Sequence, residues 1–378
     1  MIMRWVCENC KRKWIYPVKK CIYCKADIKE ETSRKLKVVG FTKVNVPSVM
    51  HPITPYNILI LEDDNQNRIP RKTMKDYNIG DYYEEMPATK EPSVSIVKIK
   101  YDIDRAVEDA LYLINDLDVD KKSKILIKPN MMAAAYPYLA VTTNPKTVSA
   151  IIKYLIKHGA KKENIVVAEQ SIYAPIEAAL KKTGFGLLCK EQGINFVDIS
   201  KSEFVEKEFE GFKVKITKEI FDKDLIINVP VLKTHLLFGI SGAFENMSRL
   251  IASDDLLKIE QLTKERKIDL NDTIVKLRKI LPKYLTVGDG SIGMEGNGPL
   301  KGAPAFLSYI LASKDPVAHD AVFHELGLFL RKAKYLEAAS KLDLGESNIE
   351  KIEVVGNEIK ATARELKPAI GSKLMENN

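Results

Sequence analysis

The stretch ILIKPN at residues 125–130 decides the fold, because a short apolar strand is stopped there by a proline. A second run of the same kind, DLIINVP, occupies residues 224–230. Between the two, residues 148–155 and 176–188 carry apolar side chains at helical spacing, and residues 165–168 are predicted to form another strand. Continuous apolar strands that alternate with amphipathic helices predict an α/β domain with a mostly parallel sheet and helices on both faces.

The composition is typical of a globular protein in a reducing compartment. The 378 residues include 45% hydrophobic and 29% charged residues, and the length suits two or three domains. The sequence contains no run of about 18 apolar residues and no leader with a cleavage site. We therefore expect a cytoplasmic protein without a membrane-spanning helix.

The formal net charge of +8 is concentrated at the amino end. Residues 1–30 contain eight basic and three acidic residues, so they hold five of the excess positive charges. Such a segment suits a polyanion such as nucleic acid, and it equally suits the compensation of a metal centre that carries net negative charge. Both interpretations stay open at this point.

Four of the five cysteines form two CxxC pairs separated by ten residues: Cys7 and Cys10, then Cys21 and Cys24. Two such turns direct four sulfur atoms at one point and complete a closed tetrahedron, which is typical of the structural Zn²⁺ site of a zinc ribbon. Iron in a rubredoxin-like site is the alternative metal. Cys189 is left over, and we expect it to be a buried apolar residue.

A second unit, rich in residues that favour strands, follows the ribbon. The runs at residues 37–44 and 56–61 are separated from later segments by turn residues, and together they suit a small antiparallel barrel like an OB fold. Residues 85–93 contain two prolines among small and charged residues, so we place the linker there. The predicted domains are a zinc ribbon at 1–30, an OB-like barrel at 31–90 and an α/β domain at 91–378.

The first two units resemble the domain-of-unknown-function 35 family, in which a zinc ribbon precedes an OB fold. The matching residues are the four paired cysteines and the segments VVGFT at 38–42, VP at 46–47 and IGD at 79–81. Members of that family accompany thiolases and related acyl-CoA enzymes as scaffolds or acyl-CoA binders. The resemblance implies a thiolase-like protein partner, and it makes nucleic-acid binding by the barrel the less favoured interpretation.

From residue 95 onward the chain resembles the domain-of-unknown-function family 362. This resemblance implies a fold and the position of a site, without a reaction. The segments that carry it are KPN at 128–130, VTTNP at 141–145, NVPVLKTH at 228–235, GISG at 239–242, GDGSIGMEGNGP at 288–299 and DPVAHD at 315–320.

Polar residues follow the ends of two predicted strands, Lys128 and Asn130 after the first and Lys233 and His235 after the second. In an open parallel sheet, ligands bind in the crevice beyond the carboxyl ends of the strands. Two lysines there favour an anion such as phosphate or carboxylate. His235 is the candidate acid/base of this predicted site.

The segment that follows His235 is predicted to open a helix towards the same anion, because backbone N–H groups at a helix start attract negative charge. Gly239, Ser241, Gly242 and Asn246 are therefore predicted ligand-binding residues.

A glycine-rich segment supplies further candidates. Residues 288–299 contain five glycines, and they are predicted to form a loop that lets the backbone approach a ligand closely, although such glycines also serve purely structural turns. Asp289 and Glu295 can accept a proton or hold a divalent cation. With His235 they complete the candidate catalytic residues.

Asp315 and Pro316 predict the start of a helix, with aspartate as the cap and proline in the first turn. His319, Asp320 and His324 then lie on the following turns at a spacing that does not suggest a metal pair. We expect them to be ordinary polar residues of that helix.

The segment from His235 to Asn246 also resembles a loop of the lactate racemase family, whose nickel-pincer cofactor is tethered through a lysine. The resemblance implies that the racemase family and most relatives in family 362 have a lysine at the position where this chain has Glu245. Because the charge at that position is reversed, no covalent tether is expected there. Whether catalysis is lost with the lysine stays open.

Together these patterns predict a cytoplasmic zinc-binding protein whose α/β domain binds an anionic small molecule, bearing phosphate or carboxylate and including acyl-CoA, as an enzyme of unknown reaction. One alternative is a non-catalytic scaffold or acyl-CoA-binding partner of a thiolase-like enzyme. Another is a nucleic-acid-binding protein that uses the ribbon and the barrel. No role at a membrane is expected.

Overall fold

Two small antiparallel sheets precede one large sheet in this computed structural model, which describes residues 1–115, 117–265 and 267–372. The first small sheet has the strand order β2-β1-β3, and the second has the order β6-β5-β4-β7. Their strands are β1 (Ile2–Cys7), β2 (Lys13–Trp14), β3 (Ile28–Ser33), β4 (Lys35–Val44), β5 (Tyr56–Glu62), β6 (Arg68–Thr73) and β7 (Tyr82–Glu84).

The second small sheet is open at both edges. Among the described strands, β6 and β7 each pair on one side only, so the hydrogen bonds do not close a cylinder. Alternate residues of β4 and β5 point inward, and Leu36, Val38, Leu59 and Leu61 form a core on which Ile2 packs. The predicted antiparallel strands are therefore confirmed, whereas closure into an OB-like barrel is absent from the described pairing.

Eleven strands build the large sheet, along the path β11-β10-β9-β14-β17-β19-β8-β20. Off this path, β15 and β18 pair with β17, and β16 pairs with β15. Six of the ten pairs described in this sheet are parallel, which confirms the predicted mostly parallel arrangement. The remaining strands, including the separate hairpin β12–β13, are β8 (Ser93–Lys98), β9 (Ile125–Pro129), β10 (Ile165–Glu169), β11 (Asn195–Asp198), β12 (Phe204–Phe209), β13 (Phe212–Thr217), β14 (Leu225–Val229), β15 (Val231–His235), β16 (Gly239–Ser241), β17 (Leu285–Glu295), β18 (Ala303–Ala305), β19 (Tyr309–Ser313) and β20 (Glu353–Gly356).

Helices cover both faces of the large sheet. In β9, Ile125 and Ile127 join one apolar core while Leu126 joins another on the opposite face, as expected for a strand buried on both sides. The helices are α1 (Ile103–Leu113), α2 (Pro145–Lys157), α3 (Ile176–Thr183), α4 (Phe185–Gln192), α5 (Ala243–Met247), α6 (Ser253–Lys264), α7 (Leu270–Lys276), α8 (Pro316–Leu326), α9 (Lys334–Lys341) and α10 (Ile359–Thr362).

Two predicted elements differ from the structure. The single helix expected at 176–188 is divided into α3 and α4 by Gly184, whose φ of 89° lies in the left-handed region that ends a helix. The glycine-rich loop expected at 288–299 is instead mostly strand, since β17 continues to Glu295. The glycines in β17 serve close packing: a Cβ on Gly290 would lie 2.6 Å from the backbone oxygen of Tyr309.

Polar contacts join the small sheets to the large domain. The guanidinium of Arg34 donates to Asp109 at 2.8 Å, and the guanidinium of Arg71 donates to the carbonyl of Gly356 at 3.0 Å. Among the described helices, none has the length and apolar character needed to cross a membrane.

Candidate functional site

The four paired cysteines converge on one point at the end of β1. The sulfur atoms of Cys7, Cys10, Cys21 and Cys24 all lie within 4.8 Å of one another. The closest pairs are Cys7 with Cys24 at 3.4 Å and Cys10 with Cys21 at 3.6 Å. Sulfurs around one Zn²⁺ at about 2.3 Å are separated by nearly the same distance, so the donor set fits a tetrahedral ion.

The CxxC turns shape this cluster through the backbone. The amide of Cys10 donates to the sulfur of Cys7 at 3.3 Å, and the amide of Cys24 donates to the sulfur of Cys21 at 3.4 Å. Such bonds stabilise thiolates, the form in which cysteine binds a metal. These four residues could therefore hold a metal ion such as zinc.

In the large domain, Lys128 and Glu169 form a fully buried ion pair. Both side chains have 0% exposure, and the Lys128 Nζ lies 2.9 Å from the Glu169 carboxylate. The same ammonium donates to the carbonyl of Pro129 at 3.2 Å and to the Asn246 side chain at 3.4 Å. Lys128 is thus satisfied inside the protein, where burial lowers its pKa and the charge of Glu169 partly restores it.

Lys233 is also fully buried, but it has no carboxylate within ion-pair distance among the described residues. Its ammonium donates to the Val141 carbonyl at 3.1 Å and to the Asn130 side chain at 3.4 Å. Burial lowers the pKa of Lys233 to about 8, against the raising effect of Glu245. The group is still mostly protonated at neutral pH, so it adds a buried positive charge.

Glu245 and Arg249 lie one turn apart after β16. Their closest charged atoms are 3.6 Å apart, and the Ser241 hydroxyl donates to Glu245 at 2.8 Å. Burial opposes ionisation of Glu245, but the positive charges of Arg249 and Lys233 outweigh it and lower its pKa to about 2. Glu245 is therefore an ionised carboxylate and a weak base.

His235 ends β15, and its imidazole is held in one tautomer. Its Nδ1 accepts the backbone N–H groups of Leu237 at 3.1 Å and Phe238 at 3.3 Å. Burial lowers the pKa of His235 to about 4, so the ring is neutral at pH 7. Because Nδ1 accepts two hydrogen bonds, the single ring proton lies on Nε2, which is therefore a donor.

A cavity of about 460 Å³ brings His235, Glu245 and Arg249 together. We call these three residues the polar corner. Apolar side chains from α6, α7 and the tip of the β15–β16 hairpin form much of the remaining wall. A second cavity, of about 560 Å³, adjoins the first and shares Leu236, Leu237, Phe238 and Leu270 with it.

The structure separates the residues that the sequence grouped into one ligand site. His235 lines the 460 Å³ cavity, and Gly239 lines the neighbouring one. The other predicted ligand-binding residues belong to the buried interior around the polar corner: Lys128, Asn130, Lys233, Ser241, Gly242 and Asn246.

Asp289 and Glu295 lie outside the lining of this cavity. Asp289 is buried and accepts the backbone N–H groups of Asn144 and Ser291 at 2.7 Å and 3.0 Å, and burial raises its pKa. Glu295 is partly exposed and accepts the N–H of Lys367 at 3.3 Å. Both carboxyl groups are hydrogen-bonded to backbone, which gives them structural roles in this conformation.

Asp320 was missed as a functional candidate. The helix after β16 is α5, which begins at Ala243 rather than at residue 239. Asp320 accepts the backbone N–H of Ala243 at 2.7 Å. The same carboxylate accepts the hydroxyl of Tyr335 at 2.9 Å. The Asp320 carboxylate therefore binds the N–H groups at the start of α5, where the sequence predicts an anionic ligand. It also holds in place the segment that carries Glu245.

Comparison with known proteins identifies relatives of the large domain. The sequence profile of the family described as Domain of unknown function (DUF362) matches residues 125–325. A thylakoid-associated protein of Synechocystis sp. is 22% identical over 203 residues, which make up 54% of this chain and 62% of that protein. The chain thus spans less than two thirds of that relative's length.

Solved structures give weaker likenesses. The lactate racemase apoprotein from Thermoanaerobacterium thermosaccharolyticum has a TM-score of 0.37 at 16% identity, covering 64% of this chain and 61% of its own. A protein from Thermotoga maritima has a TM-score of 0.36 at 14% identity, covering 65% and 60%. The Ltp2-ChsH2(DUF35) aldolase has a TM-score of 0.19 at 17% identity, covering 24% of this chain and 76% of that chain. Scores this low support no conclusion about activity.

Proposed function

This chain belongs to the DUF362 family, whose name assigns no activity, and we propose that its α/β domain binds a small carboxylate-bearing molecule in the 460 Å³ cavity. The observation that carries the proposal is the state of Arg249. Its side chain is 13% exposed, its Nε has no hydrogen-bond partner among the described residues, and its ion pair with Glu245 is long at 3.6 Å. A largely buried guanidinium that lines a cavity and has only a long ion pair favours an anionic guest.

The charges around the polar corner support an anion. Lys128 is paired with Glu169, and Arg249 lies 3.6 Å from Glu245. Lys233 is buried without a carboxylate at ion-pair distance among the described residues. The interaction of such buried positive charges with a bound anion is screened less than in water.

The donors of the polar corner favour a carboxylate over a larger anion. The guanidinium of arginine matches the two oxygens of a carboxylate, and the Nε2–H of His235 adds a donor in the same wall. Since His235 already carries its proton on Nε2, we assign it to hold or polarise an oxygen of the ligand rather than to remove a proton. This assignment replaces the acid/base role with hydrogen-bond donation.

For the amino-terminal unit, we propose that the four cysteines hold one structural Zn²⁺. The supporting observation is the closed set of four sulfurs, which leaves no coordination position for a substrate. The ion would act as a cross-link that fixes the turns of the ribbon.

The carboxylate proposal is tested with hexanoate and its neutral isostere hexanamide, titrated by calorimetry. The wild-type chain is expected to bind hexanoate at least about tenfold more tightly than hexanamide, because a charge-assisted bond contributes roughly 1.5–3 kcal/mol. Arg249→Gln is expected to remove this preference. Lys301→Gln removes a cation from the same cavity wall but not from the polar corner, so it serves as the matched control and should keep the preference.

Equal affinity for hexanoate and hexanamide in the wild-type chain would contradict the proposal. The same holds if Lys301→Gln weakens hexanoate binding as strongly as Arg249→Gln, because the anion would then be held at the rim.

A second function, protein binding by the ribbon, is favoured by a separate observation. Ile22 and Tyr23 on the second cysteine turn, and Ile15 and Tyr16 just after β2, are each more than half exposed. Exposed apolar and aromatic side chains on a small unit suit a protein partner. Co-purification from the native host tests this, and retention that falls steeply with added salt would point to nucleic acid instead.

A further inference from the structure

Apart from the polar corner, much of the wall of the 460 Å³ cavity is apolar, and a small anion bound at the corner would not contact it. The apolar residues of this wall include Leu236, Leu237 and Phe238 of the hairpin tip, Leu256 and Ile259 of α6, and Ile274 of α7. The charged group of a ligand therefore has two donors, Arg249 and His235, at one end. Much of the remaining wall is hydrocarbon, interrupted by Thr273, Asn297 and the charged Glu260 and Lys301.

Helix α6, which supplies part of this wall, packs poorly on the protein itself. Of its twelve residues, all of them described, Ile259 is the buried one. Leu256 is half-buried and lines the cavity, whereas Leu257 is 62% exposed and points away from it. An isolated helix of this length is marginal in water, so contact with an apolar guest would stabilise it.

The volume sets the size of that guest. A cavity of roughly 150 Å³ accepts benzene, so one about three times larger accepts up to roughly sixteen carbon atoms. The observed 460 Å³ also falls within the range of pockets that bury an organic ligand rather than an inorganic ion.

We propose that the ligand is a free carboxylic acid with an apolar carbon chain of about eight to sixteen carbons. Its carboxylate contacts Arg249 and His235, and its chain lies against Leu256, Ile259 and Ile274. This inference rests on the proposed carboxylate site, and it adds that the apolar chain supplies most of the affinity. Inorganic anions and short acids are then poor ligands.

A series of straight-chain acids tests the inference. Acetate, butyrate, hexanoate, octanoate and decanoate are titrated into the full chain below their micelle concentrations. Each added CH2 group is expected to tighten binding about threefold to fourfold, so decanoate, with six more of them, should bind about 700-fold to 4,000-fold more tightly than butyrate. Decanol has a ten-carbon chain but no carboxylate, so it measures the contribution of the apolar chain alone. It should bind more weakly than decanoate.

Two variants at neighbouring positions test where the carbon chain of the ligand binds. Leu256→Asn removes an apolar contact from the cavity wall, and Leu257→Asn makes the same change one residue away on the exposed side of α6. The first is expected to weaken decanoate binding about tenfold or more while butyrate binding is unchanged. The second is expected to leave both unchanged. Hydrogen exchange should show protection of residues 253–264 by decanoate and none by butyrate.

The possible outcomes separate the two proposals. If all acids bind with similar affinity, the apolar-chain inference is wrong while the carboxylate site stands. If no acid binds, both are wrong. If decanol binds as tightly as decanoate, the cavity recognises hydrocarbon without an anion, which contradicts the carboxylate site and with it this inference.

Discussion

The four-cysteine cluster and the polar corner both bring like charges close together, but they balance them differently. In the ribbon, four sulfurs from residues 7–24 face one another and need a cation from outside the chain. In the α/β domain, Lys128 is neutralised by Glu169, while Lys233 and Arg249 share Glu245. On our proposal, the cysteine cluster is incomplete without its metal, whereas the large domain is folded around buried charges of its own.

Removing the metal is expected to produce the largest difference between these two regions. Chelation is expected to unfold the ribbon and spare the α/β domain, because structural zinc in small metal domains contributes about 10–16 kcal/mol of apparent binding free energy. Native mass spectrometry should first show one metal ion per chain. Hydrogen exchange should then show lost protection in residues 1–33 and retained protection in 125–325.

The remaining cysteine offers the control for that experiment. Cys189→Ala changes a buried thiol outside the cluster, so one metal ion per chain should still bind. Retained protection of the ribbon after complete metal removal would contradict the structural role of the ion.

Breaking the ion pair in the large domain is expected to give the next largest effect. Glu169→Gln leaves Lys128 buried without a counter-charge, which typically destabilises a protein by about 3–5 kcal/mol. Urea unfolding measures the loss. The double variant Lys128→Met with Glu169→Gln removes both charges and should recover more than half of it. If Glu169→Gln alone proves as stable as the wild type, the ion pair does not contribute to the stability of the domain.

The pH dependence of stability should report His235. Burial lowers its folded pKa to about 4, below the usual 6.5, so between these values the unfolded chain binds the extra proton. Stability is therefore expected to fall by up to about 3 kcal/mol as the pH drops from 6.5 to 4. His235→Asn keeps a hydrogen-bond acceptor for the hairpin tip and should flatten the profile above pH 4.5. An unchanged slope in this variant would contradict the assignment.

Asp320 gives a smaller, positional effect. Asp320→Asn weakens the charged cap of α5 and should reduce stability by about 1–2 kcal/mol. Because α5 carries Glu245 and leads to Arg249, hexanoate affinity should fall as well. Glu325→Gln changes an exposed carboxylate on the same helix, α8, and should change neither quantity. Loss of stability with unaltered hexanoate affinity would show that Asp320 does not position the corner.

The elements that the sequence predicted best are those encoded locally. The CxxC spacing predicted a cluster of four sulfurs, and the apolar runs around Lys128 and Asn228 predicted strands of a mostly parallel sheet, in which the structure pairs them directly. Asp315 caps α8 as the Asp-Pro pair predicted. Each of these depends on contacts within a few residues or on strand composition, which a sequence displays directly.

The composition of the site could not be predicted, because long-range pairing decides it. Glu169 lies 41 residues after Lys128 and converts a predicted anion-binding lysine into half of an internal ion pair. Asp320 lies 77 residues after Ala243 and occupies its helix start. One signal was available: the spacing of four residues between Glu245 and Arg249 suits an ion pair on one face of a helix.

A crystal structure of the full chain with decanoate would test the central claim most directly. We predict that the carboxylate lies in the 460 Å³ cavity, with its oxygens about 2.7–3.0 Å from the Arg249 guanidinium and from Nε2 of His235. The chain should extend along α6. An empty cavity at saturating decanoate, or a carboxylate bound to surface lysines instead, would contradict the account.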